Sequence, residues 1–307
     1  MLRQGSSGLR RALVLMWRGF LGWKLVYPIL GVCQWFRLRC VLAPSMLDCK
    51  IIMPYQSIHG AQIYYQVYGN RLESAPILLI HGSTMTADSE WRDVMTALAE
   101  RHFVIAPDCR GHGKSSNPNH SYSFGEMAND LALLIQCLGF EQAHVIGHSN
   151  GGNVALVYLM EHSHATRTAI VQAGNARVTP DLVERENRVF TPAYVEENNP
   201  RWRQQMIELH GPTHGADYWR ELMRLTLQEI LAGPNYTPQD LARVQKPVLV
   251  IEGEDDPVNA PGHQAEYMAE NIPNAELWRL TGVKHTVHLE RRQEWIERVL
   301  DFLRRKG

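Results

Sequence analysis

Three side chains of this 307-residue chain are spaced for nucleophilic chemistry at a carbonyl group. Ser149 is the central residue of a Gly-His-Ser-Asn-Gly run, which fits the G-x-S-x-G pattern of a nucleophile elbow. Asp256 and His285 follow it in the chain order that such an elbow requires. A serine hydroxyl is a weak nucleophile at neutral pH, so it needs a base, and the base needs an orienting carboxylate. The pattern predicts Ser149 as nucleophile, His285 as base and Asp256 as the acid that orients it.

The acid and the base both have rivals nearby. Asp255 and Glu254 lie on the same loop as Asp256. Asp256 is favoured because its position just before a proline suits a loop carboxylate turned back toward a histidine. His288 is the rival base, and we disfavour it because a position three residues into the following helix faces elsewhere.

A tetrahedral intermediate at the substrate carbonyl needs an oxyanion hole. The backbone N–H of Asn150, directly after the nucleophile, is the expected first donor. The second is expected from the turn after an earlier strand, at Ser83 or alternatively at Thr84. We expect no metal, because the run His285-x-x-His288-x-Glu290 lacks the four-residue His spacing of a helical zinc motif, and no organic cofactor.

Predicted strands and helices alternate along the part of the chain that contains these residues. Apolar strand patterns fall within residues 56–69, 76–80, 103–106, 143–146, 168–173, 247–253 and 275–280, and amphipathic helix patterns within 88–101, 124–138, 154–160 and 295–303. This alternation predicts an α/β fold with a mainly parallel central sheet flanked by helices. Ser149, Asp256 and His285 each follow a predicted strand, so we expect all three at one edge of the sheet.

Residues 177–243 interrupt this alternation with helical patterns alone. We interpret them as a helical lid inserted after the sixth strand, over the sheet edge where ligands bind in such folds. The core is then formed by residues 53–176 and 244–307. The aromatic content of the insertion favours an apolar or partly aromatic substrate. The residues expected to line the substrate pocket are Thr84, His148, Asn175 and Trp219.

The first fifty residues differ from the rest in charge. They contain eight Lys and Arg against one acidic residue, whereas the whole chain has a formal net charge of −1. The remaining acidic body argues against nucleic acid as a partner. Residues 1–52 form a basic, apolar extension for which three interpretations stay open: a weak membrane-surface anchor, a targeting segment, or a stretch upstream of a start at Met46 or Met53. The last is favoured, because every recognisable motif begins after Met53.

The five cysteines match neither a zinc site nor a disulfide framework, which favours a reducing compartment. We therefore expect a cytoplasmic protein, with membrane association or organelle targeting through the extension as the alternative. The sequence leaves the oligomeric state open.

Residues 55–305 resemble the α/β-hydrolase superfamily. The supporting motifs are His81-Gly82, Asp108-x-Arg110-Gly111-x-Gly113-x-Ser115, the elbow, Gly253-Glu254-x-Asp256 and His285-x-x-His288-x-Glu290. Within the superfamily, Ala173-Gly174-Asn175-Ala176-x-Val178-Thr179 and Val283-Lys284-His285-x-x-His288-Leu289 are most similar to the biphenyl-hydrolase-like group, which includes valacyclovir hydrolase. The resemblance maps the group's serine, acid and histidine onto Ser149, Asp256 and His285.

The resemblance also implies a difference in substrate. The aspartate that recognises a substrate ammonium group in valacyclovir hydrolase is replaced here by Asn150. A neutral amide loses that charge recognition, so the expected function is a serine hydrolase of a simple carboxylic ester or lactone, a small molecule. Two alternatives remain, a hydrolase of carbon–carbon bonds in ring-cleavage products and a ligand-binding receptor built on a hydrolase scaffold.

Overall fold

The structure is a computed structural model that describes residues 54–71 and 75–307. Before residue 54 it describes only two three-residue strands, β1 (Trp17–Gly19) and β2 (Gly22–Lys24), which pair antiparallel. The expectations for the extension of residues 1–52 otherwise lie outside the described residues.

An eight-stranded sheet forms the centre of the described residues from 54 onward. Its strands are β3 (Tyr55–Ile58), β4 (Ala61–Tyr68), β5 (Ile77–Ile80), β6 (Val104–Pro107), β7 (Ala143–His148), β8 (Thr166–Gln172), β9 (Val248–Gly253) and β10 (Ala275–Leu280). Their spatial order is β10-β9-β8-β7-β5-β6-β4-β3. β3 and β4 form an antiparallel edge, and the other six strands run parallel. The predicted mainly parallel sheet is therefore confirmed.

The strand order reverses at β5, which pairs with β6 on one side and with β7 on the other. In open parallel sheets such a reversal opens a crevice at the carboxyl ends of the strands, where ligands bind. Every residue of β5 and β7 is buried, which explains their continuous apolar sequences. The loop after β5 and the elbow after β7 therefore meet at this crevice.

Helices cover both faces of the sheet. They are α1 (Ala87–Ala99), α2 (Phe124–Cys137), α3 (Asn150–Glu161), α9 (Gln264–Asn271), α10 (Val287–Glu290) and α11 (Arg292–Lys306). Alternate residues of β5 enter two different cores, as the period of two of a strand dictates. Ile77 and Leu79 pack in the core that contains residues of α1 and α11, and Leu78 and Ile80 in the core that contains residues of α2 and α3.

Five helices and no strand fill residues 177–243, between β8 and β9. They are α4 (Pro180–Val189), α5 (Pro192–Asn198), α6 (Pro200–His214), α7 (Tyr218–Ala232) and α8 (Pro238–Leu241). Four of them begin with a proline after a Thr or Asn cap, a position where proline's fixed φ and missing N–H are favourable. None of the helices in the described residues is both long and apolar enough to cross a bilayer.

Candidate active site

Ser149 lies in a sharp turn between β7 and α3. Its φ of 55° and ψ of −124° lie in a region that non-glycine residues rarely adopt. The Ser149 N–H donates to the carbonyl oxygen of Gln172 at 2.9 Å, which ties the turn to β8. The structure thus supplies the strand, strained turn and helix that the sequence motif needs.

The two glycines of the motif are required by backbone crowding. A Cβ on Gly147 would lie 1.9 Å from the carbonyl oxygen of Gly151, and a Cβ on Gly151 would lie 2.2 Å from that of Ile80. Both clashes are with backbone, so no side-chain movement relieves them. The elbow therefore tolerates only glycine at these two positions.

Asp256 follows β9 and His285 follows β10, and their side chains meet. Asp256 Oδ2 lies 2.9 Å from His285 Nδ1, and Asp256 Oδ1 accepts the Val258 N–H at 2.8 Å. Asp256 is 1% exposed, whereas the rival acid Asp255 is exposed on the same loop. Burial by itself would raise the pKa of Asp256, but the contact with His285 and the backbone N–H donors hold it below its usual value. The geometry therefore pairs His285 with Asp256 as an ionised carboxylate.

Ser149 and His285 line one cavity of about 350 Å³. Ser83 and Asn150, the two residues proposed for the oxyanion hole, line the same cavity. Asn150 is the first residue of α3, where backbone N–H groups have no partner within the helix and are free to bind an anion. Most of the remaining wall comes from the helical insertion: Leu182, Arg185, Glu186, Val189, Phe190, Tyr194, Asn199, Trp202 and Ile230.

Of the four residues expected to line the pocket, the structure places only Asn175 in the wall of this cavity. The Thr84 hydroxyl instead accepts a hydrogen bond at 2.9 Å from Nε1 of Trp202, which itself lines the cavity. Trp219 is 1% exposed and packs in the hydrophobic core, with the guanidinium groups of Arg203 from α6 and of Arg220 from its own helix over its ring. His148 points away from the cavity, toward Glu90 of α1. The placement of Thr84, Trp219 and His148 is a correction to the predicted pocket.

Three buried glutamates near the site were missed by sequence reasoning. Glu90 lies four residues before Val94 on the buried face of α1, so the same spacing that indicates a core position could have found it. Glu186 lines the cavity, pairs with Arg185 through Oε1, and leaves Oε2 without a hydrogen-bond partner among the described residues. Glu229 of α7 places Oε2 3.5 Å from Asn150 Nδ2. Burial raises the pKa of Glu229 well above its usual value.

The side chains of His285, His288 and Glu290, in the segment after β10, do not converge on one possible metal position. Glu290 accepts hydrogen bonds from the backbone of Lys284 and Thr286 instead. His288 is turned inward, where its Nε2 lies 2.9 Å from Glu90 Oε1. Within the described residues, Glu90, His148 and His288 are the group whose donor atoms lie close enough together to hold a metal ion.

Comparisons with known proteins agree with this architecture. The family model of the alpha/beta hydrolase fold matches residues 75–237, more than half of the chain. Serine hydrolase BPHL of Mus musculus is 25% identical over 291 residues, which cover 87% of this chain and 96% of that protein. The 2-hydroxy-6-oxo-6-(2'-aminophenyl)hexa-2,4-dienoic acid hydrolase of Metapseudomonas resinovorans is 27% identical over 248 residues, 76% of this chain and 85% of that protein.

A solved structure shares the fold at lower sequence identity. The enol-lactonase of Burkholderia xenovorans LB400 superposes with a TM-score of 0.65 at 23% identity, covering 81% of this chain and 99% of that chain. The sheet order, the elbow and the family match agree with one another. The chain therefore belongs to the alpha/beta-hydrolase family of enzymes.

Proposed function

We propose that this chain is a serine hydrolase that cleaves a carboxylic ester or a related acyl bond, such as a lactone. The observation that supports this most directly is one cavity lined by Ser149 on its strained elbow and by His285 with Asp256 behind it. This is the set of groups that acyl transfer through a serine needs: nucleophile, base and orienting carboxylate.

The mechanism follows from the position of each group. Ser149 Oγ attacks the substrate carbonyl carbon while His285 Nε2 takes its proton, and Asp256 stabilises the imidazolium that forms. The backbone N–H groups of Asn150 and Ser83 bind the oxyanion, and losing one such donor costs about 3–4 kcal/mol of barrier. His285 then protonates the leaving alcohol. A water molecule, activated by the same imidazole, cleaves the acyl-enzyme and releases the acid.

The cavity indicates the class of substrate. Its volume of about 350 Å³ is near the lower end of the roughly 300–1,000 Å³ usual for small-molecule sites. The helical insertion contributes apolar side chains to the wall, Leu182, Val189, Phe190 and Ile230, and would act as a lid over an apolar part of the ester. This favours a small ester with an apolar group.

The surroundings of Asn150 favour a neutral ester over an aminoacyl ester. Asn150 itself has no charge, and burial raises the pKa of the neighbouring Glu229 carboxyl well above its usual value. A raised pKa lowers the tendency of this carboxyl to ionise, which weakens its attraction for an ammonium group. The surroundings of the residue after the nucleophile therefore support a preference for a neutral ester.

A panel of p-nitrophenyl esters, a lactone and a matched pair of aminoacyl and N-acetylated aminoacyl esters tests the proposal. We expect turnover of the simple esters, a higher kcat/KM for the neutral member of the pair, and no turnover by Ser149→Ala. Failure of the full-length protein to hydrolyse any of these substrates would contradict the proposal and favour a ligand-binding role.

Hydrolysis of a carbon–carbon bond is the second candidate, because a relative that is 27% identical is named for such a substrate. A ring-cleavage dienoic acid added to the same panel separates the two chemistries. Turnover of that acid at a higher kcat/KM than any ester would favour the second candidate.

A further inference from the structure

A buried cluster of Glu90, His148 and His288, called here the Glu90 cluster, lies directly behind the proposed active site. Glu90 Oε1 is 2.8 Å from His148 Nδ1 and 2.9 Å from His288 Nε2. All three residues are at most 4% exposed. Neither His148 Nδ1 nor His288 Nε2 makes a hydrogen bond of good geometry among the described residues, so the Glu90 carboxylate, at ion-pair distance from both, is the group available to satisfy them.

The cluster contacts each of the three loops that form the site. Glu90 Oε2 accepts the Gly82 N–H, at 3.4 Å, in the loop that continues to Ser83. His148 is the residue before Ser149 in the elbow. His148 Nε2 donates to the carbonyl oxygen of His285 at 3.1 Å. A single carboxylate on α1 thereby links the loop of the oxyanion donor, the elbow of the nucleophile and the loop of the base.

Hydrogen-bond partners fix where the protons of the cluster lie. The His285 carbonyl can only accept, so His148 must hold a proton on Nε2. The Gln172 side-chain amide lies 2.7 Å from His288 Nδ1 and donates to it, so the one ring proton of a neutral His288 lies on Nε2, facing Glu90. With Glu90 ionised, a second proton on His148 Nδ1 makes the buried cluster neutral overall.

The surroundings favour that charge state. Burial lowers the pKa of His148, but the charge and contact of Glu90 more than reverse this and raise it. Burial likewise raises the pKa of Glu90, and the two histidines hold it well below its usual value. Burial lowers the pKa of His288, so that imidazole stays neutral. Together with the oxygen acceptors at both ring nitrogens of His148, these shifts favour a cluster of one carboxylate, one imidazolium and one imidazole.

The distances within the Glu90 cluster match hydrogen-bonded ion pairs better than ligands around a metal ion. Ligands around a tetrahedral zinc, at about 2.0–2.1 Å from the metal, are separated from one another by about 3.3 Å. The contacts of 2.8 and 2.9 Å from Glu90 are shorter and have the length of ion pairs. The ring of Trp91 packs against His288 with centroids 4.7 Å apart, which gives that side of the cluster an apolar wall.

We propose that Glu90 is a positioning residue for the proposed hydrolysis. Through His148 it holds the backbone of His285, and therefore the imidazole base, in a fixed position relative to Ser149 and Ser83. The proposal rests on the proposed function. Glu90 touches neither substrate nor the reacting atoms, so it acts on the reaction only through the loops it connects.

The test compares Glu90→Gln with Asp130→Asn, a matched loss of a buried carboxylate. Asp130 is 1% exposed and pairs with Arg110 at 2.8 and 2.9 Å, and its helix, α2, lies on the opposite face of the sheet from α1. The concentration of active sites is measured by titration with a fluorophosphonate, so that unfolded protein is excluded from the calculation of kcat. We expect Glu90→Gln to lower kcat per titrated site at least tenfold with KM changed less than twofold. Asp130→Asn should lower the melting temperature while keeping kcat per site within twofold.

A second readout does not depend on activity. Nitrogen NMR of the imidazoles, assigned with His148→Gln and His288→Gln, should show a doubly protonated His148 at pH 7. Glu90→Gln should make that ring neutral and shift the His285 signals, whereas Asp130→Asn should shift neither. If the wild-type protein hydrolyses nothing, the proposed function fails, and the response of His285 to Glu90→Gln still decides whether the cluster positions that loop.

Two results would overturn the proposal. One is a Glu90→Gln variant with unchanged kcat per site and unchanged His285 signals. The other is stoichiometric zinc in the purified protein, measured by elemental analysis and lost in Glu90→Gln, which would make the cluster a metal site.

Discussion

Replacing Asp256 by asparagine should remove most of the activity without changing the shape of the site. The Val258 N–H donates to Asp256 Oδ1, and the His285 Nδ1 faces Oδ2. An asparagine must keep its carbonyl oxygen toward the Val258 N–H, so its NH₂ group faces His285. The imidazole must then accept at Nδ1 and hold its proton on Nε2, the nitrogen that should take the proton of Ser149. A wrong tautomer of this kind costs about 10⁴-fold in kcat, or about 5 kcal/mol of barrier.

The assay is the hydrolysis of the best p-nitrophenyl ester, with kcat measured per site. Asp255→Asn is the matched control, because Asp255 is the same residue type one position earlier and is exposed. We expect Asp255→Asn to keep kcat within twofold. A large loss in Asp255→Asn together with a nearly normal Asp256→Asn would refute the assignment of the acid.

Three further predictions concern the elbow, the cysteines and acid stability. Gly147→Ala places a Cβ 1.9 Å from a backbone oxygen, so thermal denaturation should show a loss of at least about 1–3 kcal/mol, and an unchanged melting temperature would argue against the crowded elbow. Burial raises the pKa of the Cys109 thiol, so iodoacetamide followed by peptide mapping should label the exposed Cys137 and spare Cys109 in the folded protein. The folded-state pKa of Glu90 lies well below its usual 4.5, so its stabilisation is present above that value and lost as pH falls below it. In Glu90→Gln, however, His148 is a buried neutral imidazole that takes up a proton on unfolding below its usual pKa of 6.5. Melting temperatures between pH 6 and pH 5 should therefore fall more steeply for Glu90→Gln than for wild type, and parallel curves would contradict the ionised carboxylate.

The sheet could be predicted because parallel strands that are buried on both faces have continuous runs of apolar residues. Continuous apolar runs marked β5, β7 and β9, and the predicted ranges differ from the observed ones by a residue or two. Ser149, Asp256 and His285 could be placed near one another because each follows a strand of the parallel part of the sheet, and carboxyl ends of parallel strands share an edge.

The pocket was harder to predict because side-chain direction depends on tertiary contacts. His148 lies in the elbow, yet its ring points into the protein because it pairs with the buried Glu90 carboxylate of α1. Trp219 was assigned to the substrate, but its indole packs in the hydrophobic core that the insertion shares with the sheet and with α2 and α3. Glu90 was overlooked because a glutamate is usually solvated, although its four-residue spacing from Val94 places it on the buried face of α1. The two histidines that face it account for its burial.

The central claim, that Ser149 is an activated nucleophile, is tested most directly by labelling with a fluorophosphonate and mapping the modified peptide. The account predicts one adduct per chain on the peptide that contains Ser149, a labelling rate sharply reduced in Asp256→Asn, and no adduct in Ser149→Ala. An unlabelled wild-type protein, or an adduct that persists in Ser149→Ala, would contradict it.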